Sequence, residues 1–170
     1  LTFRFYLNAA YGFFLFNLLK KYNDEYIFFD VGANQGVYTL AAENNPLCHK
    51  IFAFEPVVKT FSFLVSNIDK NTQSDKVCLA NAAISVTQGT GEIIFQEHHS
   101  GGSTIADQNS VNGSRQKIKT INSEELNKLD IPENIDVVVK IDVEGHEQIV
   151  IEELTKLKYW SQIVVIFYEI

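Results

Sequence analysis

The stretch YIFFDVGANQG, residues 26–36, limits the fold more than any other part of the chain. An apolar run carries an aspartate near its end, and two glycines four positions apart follow before a helix begins. A strand without polar alternation is buried on both faces, as in a parallel sheet covered by helices. The same order recurs along the chain. Residues 50–54, 76–81, 135–141 and 162–170 read as further strands of this kind. Between them lie helical patterns: residues 37–43, a run with Phe61, Leu64, Val65 and Ile68, and a run with Ile149, Val150, Leu154 and Leu157. Pro46 follows the first helix, and Pro56 suits the first turn of the second. Strands alternating with helices imply right-handed crossovers and a doubly wound, mostly parallel α/β sheet.

The remaining segments are shorter. Ala83-Ile84-Ser85, a turn over residues 88–91 and residues 92–95 read as an antiparallel hairpin. Residues 98–114 are rich in Gly, Ser and Asn and read as a loop, with residues 117–121 a short strand after it. Asn122 and Glu125 have the spacing of an N-cap and its capping-box partner, opening a helix that ends near Leu129.

At 170 residues, 46% hydrophobic and 12% aromatic, the chain fits one domain with one sizeable core. It divides into an N-terminal amphipathic helical segment, residues 1–25, and a core over residues 26–170. The net charge of -7 argues against nucleic acid or an anionic membrane as a partner through a basic face. The start, LTFRFYLNAAYGFFLFNLLKK, is interrupted by Arg4, Asn8 and Asn17, so no span reaches the roughly 18 apolar residues of a membrane helix. It also lacks the small-residue cleavage site of a signal peptide. Phe13, Phe16 and Leu19 fall at helical spacing, as on an amphipathic helix covering a sheet edge, and membrane contact is not expected. Cys48 and Cys78 lack metal-ligand spacing and read as buried thiols in a reducing, cytoplasmic compartment. The sequon Asn112-Gly113-Ser114 reads as a turn. A chain that begins at Leu1, holds no methionine and stops within the apolar run QIVVIFYEI is expected to be a piece of something longer.

In a doubly wound sheet, ligands sit at the carboxyl ends of the strands. A P-loop is excluded because no Gly-Lys-Ser/Thr follows Gly36, and the dinucleotide pattern G-x-G-x-x-G is absent. Asp30 would repel a pyrophosphate and attract an ammonium or a sulfonium. S-adenosylmethionine carries both. Glu55, in FAFEP, ends the second strand 25 positions after Asp30. An acid there can accept hydrogen bonds from vicinal ribose hydroxyls, or else simply favour the following helix N-terminus. Asn81, Ala82 and Ala83 end the third strand. They either admit and pair a flat adenine or form an ordinary polar strand end.

Asp142, Glu144, His146 and Glu147 crowd Gly145 after the fourth long strand, a plausible acceptor site. Glu147 has the alternative of favouring a helix N-terminus. Asp142, Glu144 and Glu147 offer hard oxygen ligands for magnesium or calcium. A strand-to-helix turn need not converge them, so no metal is assigned. For removing a proton from an alcohol, Asp142 is best placed, to orient or to act as base. His146, with an ordinary pKa near about 6.5, is the second candidate. His98 and His99, beside Gly101-Gly102, either cap the acceptor site or belong to a solvated loop, and the loop is preferred.

DVGANQG, FEP and KIDVEGHE, in this order and spacing, resemble the FkbM family of S-adenosylmethionine-dependent methyltransferases over residues 26–170. The resemblance implies a class I methyltransferase (Rossmann-like) fold and O-methylation of a hydroxyl on a small-molecule or glycan acceptor, a sugar or natural product. It implies that Asp30, Gly32, Asn34 and Gly36 line the methionine end of the cofactor while Glu55 holds ribose. Gln35 stands where the family commonly has an apolar residue. The family's sheet ends with an antiparallel pair, so the fold is expected to be truncated after its fifth core strand. The resemblance does not settle the catalytic base. Two other readings stand beside it: a non-catalytic nucleoside-binding module, and a nicotinamide-dependent oxidoreductase, which Asp30 and the missing third glycine oppose.

Overall fold

The computed structural model describes residues 13–95, 103–105 and 114–168. Five strands form a wholly parallel sheet: β1 (Tyr26–Val31), β2 (Cys48–Phe54), β3 (Val77–Ala80), β8 (Asp136–Ile141) and β9 (Ile163–Tyr168). Their order is β3-β2-β1-β8-β9, with β1 at the centre. This is the doubly wound, Rossmann-like arrangement of class I methyltransferases, with the order reversing between β1 and β8.

Both faces are covered because successive side chains alternate across each strand. Ile27, Phe29 and Val31 of β1 join Phe52, Phe54, Val137, Val139 and Ile141 in the larger core, which α5 (Glu147–Leu154) closes with Val150 and Leu154. Tyr26 and Phe28 face the other way. They pack with Ile51 and Val138 under α1 (Phe13–Lys21) and α2 (Val37–Glu43). Leu64 and Ile68 of α3 (Val58–Asn71) pack on Ala33 and Ala53. A short helix, α4 (Ser123–Leu126), is capped by the Asn122 side chain, which accepts from Glu125 N at 3.4 Å.

Several local expectations need correction. α1 lies on a sheet face rather than an edge, and its buried residues are Leu15 and Leu19, while Phe13 is 66% exposed. The helix is apolar on more than one side, so its phase is set by what it packs against. Pro56 lies before α3 rather than within its first turn, and Leu157 follows α5.

The expected hairpin does not form. β4 (Ala83–Ile84) and β5 (Gly89–Phe95) both pair with β7 (Ser114–Ile121), β4 in parallel and β5 antiparallel, and β6 (Ser103–Ile105) extends β5. The second sheet therefore runs β4-β7-β5-β6. Gly89 and Gly91 sit in the strand opposite Thr120 and Ile118. A Cβ on Gly91 would lie 3.1 Å from Thr120 Cγ2, so this glycine marks a close approach within a sheet instead of a turn.

Cys48 is buried and Cys78 half-buried, and both are free; burial pushes the Cys48 thiol up to about 11. His98, His99, Asn112 and Gly113 lie outside the described residues, as do residues 1–12 and 169–170.

Candidate active site

The carboxyl ends of β3, β2, β1 and β8 are laced together by backbone bonds. Gly32 N and Ala33 N donate to Phe54 O at 3.0 and 2.9 Å, Glu55 N to Ala80 O at 3.1 Å, and Asp142 N to Val31 O at 3.0 Å. Two tight loops leave this edge. After β1, Gly32, Asn34 and Gly36 all have positive φ, at 77°, 50° and 90°. After β8, Glu144 and Gly145 do so, at 51° and 93°. Glycine reaches this region without Cβ strain, and asparagine tolerates it. Gly32 has no substitute, because a Cβ there would lie 1.9 Å from the Asp142 carbonyl oxygen. The β1 loop is pressed against the β8 loop at that point.

Glu55 is 6% exposed at the end of β2. Its Oε2 accepts from Asn34 N at 3.0 Å and its Oε1 from Val57 N at 2.9 Å. Each oxygen keeps lone-pair capacity for a further donor. Burial raises the pKa of this carboxyl, against the pull of those two amides and of Lys140. Asn34 thus enters the site through its backbone, and its left-handed φ aims that amide at Glu55. Asn81 donates through Nδ2 to Glu55 O at 2.8 Å and Pro56 O at 3.0 Å, tying the β3 end to the β2–α3 turn. Ala82 and Ala83 are buried beside it, Ala83 already in β4. Gly36 stands at the N-terminus of α2.

Asp30 is fully buried beneath its loop. Its Oδ2 accepts from Thr39 Oγ1 at 2.6 Å. Its Oδ1 takes no hydrogen bond, and Lys140 Nζ meets it only as an ion pair at 3.3 Å. Lys140 is the site residue that sequence reasoning passed over. It is 3% exposed, in register with Asp30 on the adjacent strand, and donates to Gly32 O at 2.6 Å. It also lies 3.5 Å from Asp142 Oδ2 and over the Tyr38 ring at 5.5 Å. The signal was in VVVKI: a lysine inside a strand buried on both faces has to be paired.

Asp142 is one-quarter exposed. With Glu144, Gly145, Glu147, Gln148, Ile151 and others it lines a cleft of about 640 Å³ between the β8 loop, α5 and the end of β9. Glu147 braces the loop, its Oε1 accepting from Gly145 N at 3.0 Å and Val143 N at 3.4 Å. His146, at the N-terminus of α5, turns towards β4, with Nε2 3.3 Å from Ser85 Oγ. Burial lowers its pKa, partly opposed by Glu147, so the ring is held neutral at pH 7. Asp142 and His146 therefore leave the same loop for different neighbours. Among the described residues no group of three or more His, Cys, Asp or Glu side chains is arranged to hold a metal ion. None of the described helices is long and apolar enough to cross a membrane.

Residues 30–170 match the sequence pattern described as the Methyltransferase FkbM domain. The chain belongs to the FkbM family of S-adenosylmethionine-dependent methyltransferases. It is 31% identical over 143 residues to the hexuronic acid methyltransferase AglP of Haloferax volcanii, a match covering 81% of this chain and 54% of that protein. The chain spans about half the length of this curated relative. Among solved structures, methyltransferase FkbM from Methylobacillus flagellatus is 12% identical at a TM-score of 0.47, covering 76% of this chain and 28% of that one. A precorrin-6y C5,15-methyltransferase from Geobacter metallireducens is 18% identical at 0.45, covering 86% and 55%. The family's cofactor is S-adenosylmethionine, and the donor set agrees with it. Asp30, Glu55 and Asp142 are grouped at the strand ends around Lys140, with an acid at β2 that retains acceptor capacity.

Proposed function

We propose that this chain carries the methyl-donor site of an S-adenosylmethionine-dependent O-methyltransferase whose acceptor is a neutral hydroxyl on a sugar or natural product. One observation carries the reading: carboxylates outnumber the cation that serves them at the carboxyl ends of β1, β2 and β8. Such an edge disfavours a pyrophosphate and favours a sulfonium and an ammonium.

Glu55 would hold the ribose hydroxyls through the lone pairs its two amide partners leave open. The backbone of Gly32, Asn34 and Gly36 would shape the methionine end, with Asp30 acting from beneath as buried charge. Ala82 and Ala83, with Asn81 fixing the turn above them, would bound the adenine. When bound, the cofactor supplies an activated methyl group that needs no further activation of its leaving group. What remains for the protein is to align the acceptor oxygen, exclude water and accept a proton. Asp142 faces the cleft and would orient the acceptor hydroxyl and take its proton. His146, neutral and beside Ser85, is the second candidate for the proton.

The name of the archaeal relative specifies a hexuronic acid. A sugar acceptor is carried over from it as a class. The cleft here is lined by Asp142, Glu144, Glu147 and Glu152, which would repel a uronate, so the acceptor proposed is uncharged. The test is methyl transfer from isotopically labelled S-adenosylmethionine to neutral glycosides and to matching glucuronides, read by mass spectrometry. Label on the neutral hydroxyls alone is expected. Label on the glucuronides alone would overturn the acceptor assignment. Cofactor binding without transfer to any hydroxyl would select the non-catalytic module.

A further inference from the structure

We propose that Lys140 is a positioning residue that fixes the donor loop and the acceptor loop to one another. The roles of the two loops rest on the function proposed above, whereas the coupling between them rests on geometry alone.

A lysine 3% exposed in the middle of a parallel sheet is costly to bury unless its protons are matched. Lys140 has partners on both sides of the strand-end junction. Gly32 O at 2.6 Å belongs to the loop after β1, and Asp142 Oδ2 at 3.5 Å to the loop after β8. Asp30 Oδ1 at 3.3 Å anchors the ammonium from within the sheet. Tyr38, on α2, covers it at 5.5 Å. Asp30 is itself held by Thr39 of the same helix.

The Gly32–Asp142 backbone approach already presses the loops together at a point where a Cβ would not fit. Lys140 adds a directional link, so movement of either loop away from the other leaves the buried ammonium, or the half-buried Gly32 carbonyl, short of a partner. A carboxylate facing the acceptor and a backbone turn facing the methyl donor are thereby held in register. In-line transfer is sensitive to displacements of about 1 Å, so this is where rigidity matters.

A purely structural lysine would only neutralise Asp30, and paired variants separate the two roles. Lys140→Met strands the buried Asp30 charge and is expected to destabilise the whole chain. Lys140→Met combined with Asp30→Asn removes that charge and should restore most of the lost thermal stability. If Lys140 positions the loops, the double variant still exchanges backbone amides faster over residues 31–36 and 142–146. We expect about tenfold or more there, while the centres of β1 and β8 exchange as in the native chain.

Native-like exchange in both loops of a stable double variant would overturn the proposal. So would a double variant that cannot fold, because Lys140 would then hold the fold rather than the site. The exchange measurement needs no cofactor, so failure of the native chain to bind S-adenosylhomocysteine would count against the methyl-donor reading and leave this test intact.

Discussion

Gly32→Ala tests the packing at the centre of the site, and its cost can be worked from two separable contributions. The first is conformational: Gly32 has a φ of 77°, where an L-residue costs about 1–2 kcal/mol. The second is steric: the new Cβ would lie 1.9 Å from the Asp142 carbonyl oxygen, a backbone atom that cannot swing away. Relieving that contact requires the β1 and β8 loops to part by about an ångström, an overpacking cost of about 1–3 kcal/mol. The sum is about 2–5 kcal/mol, or a fall in melting temperature of about 4–20 °C for a chain of this size. Gly36→Ala is the internal control. Its φ of 90° carries similar conformational strain, but its Cβ would meet side chains rather than backbone, Leu64 Cδ1 at 2.6 Å and Ile68 Cδ1 at 3.6 Å. Thermal unfolding followed by circular dichroism, run on both variants, isolates the Asp142 contact as their difference. Gly32→Ala should melt clearly below Gly36→Ala. Equal melting temperatures would refute the claim that the two loops are pressed backbone to backbone.

Glu55→Ala should weaken S-adenosylhomocysteine binding by about 1.5–3 kcal/mol by calorimetry, through lost charge-assisted hydrogen bonds to ribose. An unchanged affinity in a folded variant would leave Glu55 as the brace for the Asn34 and Val57 amides. Asp142→Asn removes charge and basicity at nearly constant size, so methyl transfer should fall by about 10²–10⁴ with cofactor affinity near native. Transfer at the native rate would remove Asp142 from the chemistry. Burial lowers the pKa of His146, so the folded chain binds fewer protons there than the unfolded one below about pH 6.5. The stability tied to that neutral ring is present above this pH and is lost as pH falls through it towards the lowered folded value. His146→Gln should therefore lose less melting temperature than native between about pH 7.5 and pH 5.5, and an identical loss would contradict the assignment.

How much of this was readable in the sequence depended on whether a partner choice was involved. The five strands of the main sheet were legible because continuous apolar runs such as YIFFDV and DVVVKI have few other uses. Asp30, Glu55 and Asp142 could be placed at the carboxyl ends of the strands for the same reason, because each lies at the end of such a run. The β4-β7-β5 pairing was not legible. Ala83 and Thr120 are far apart in sequence, and nothing local tells Gly89 and Gly91 in a strand from the same glycines in a turn. The face that α1 buries was also hidden, because Phe13, Phe16, Leu15 and Leu19 are all apolar and only the sheet beneath selects among them. Lys140 was visible as an anomaly, but its three polar partners, Asp30, Gly32 and Asp142, come from one strand and two loops and emerge only from the register.

We propose that this strand-end edge takes an adenosyl amino-acid cofactor rather than a dinucleotide. Isothermal titration calorimetry of the chain with S-adenosylhomocysteine and, separately, with NAD addresses it most directly. Saturable one-to-one binding of S-adenosylhomocysteine with no heat from NAD is the predicted result, and preferential binding of NAD would contradict it.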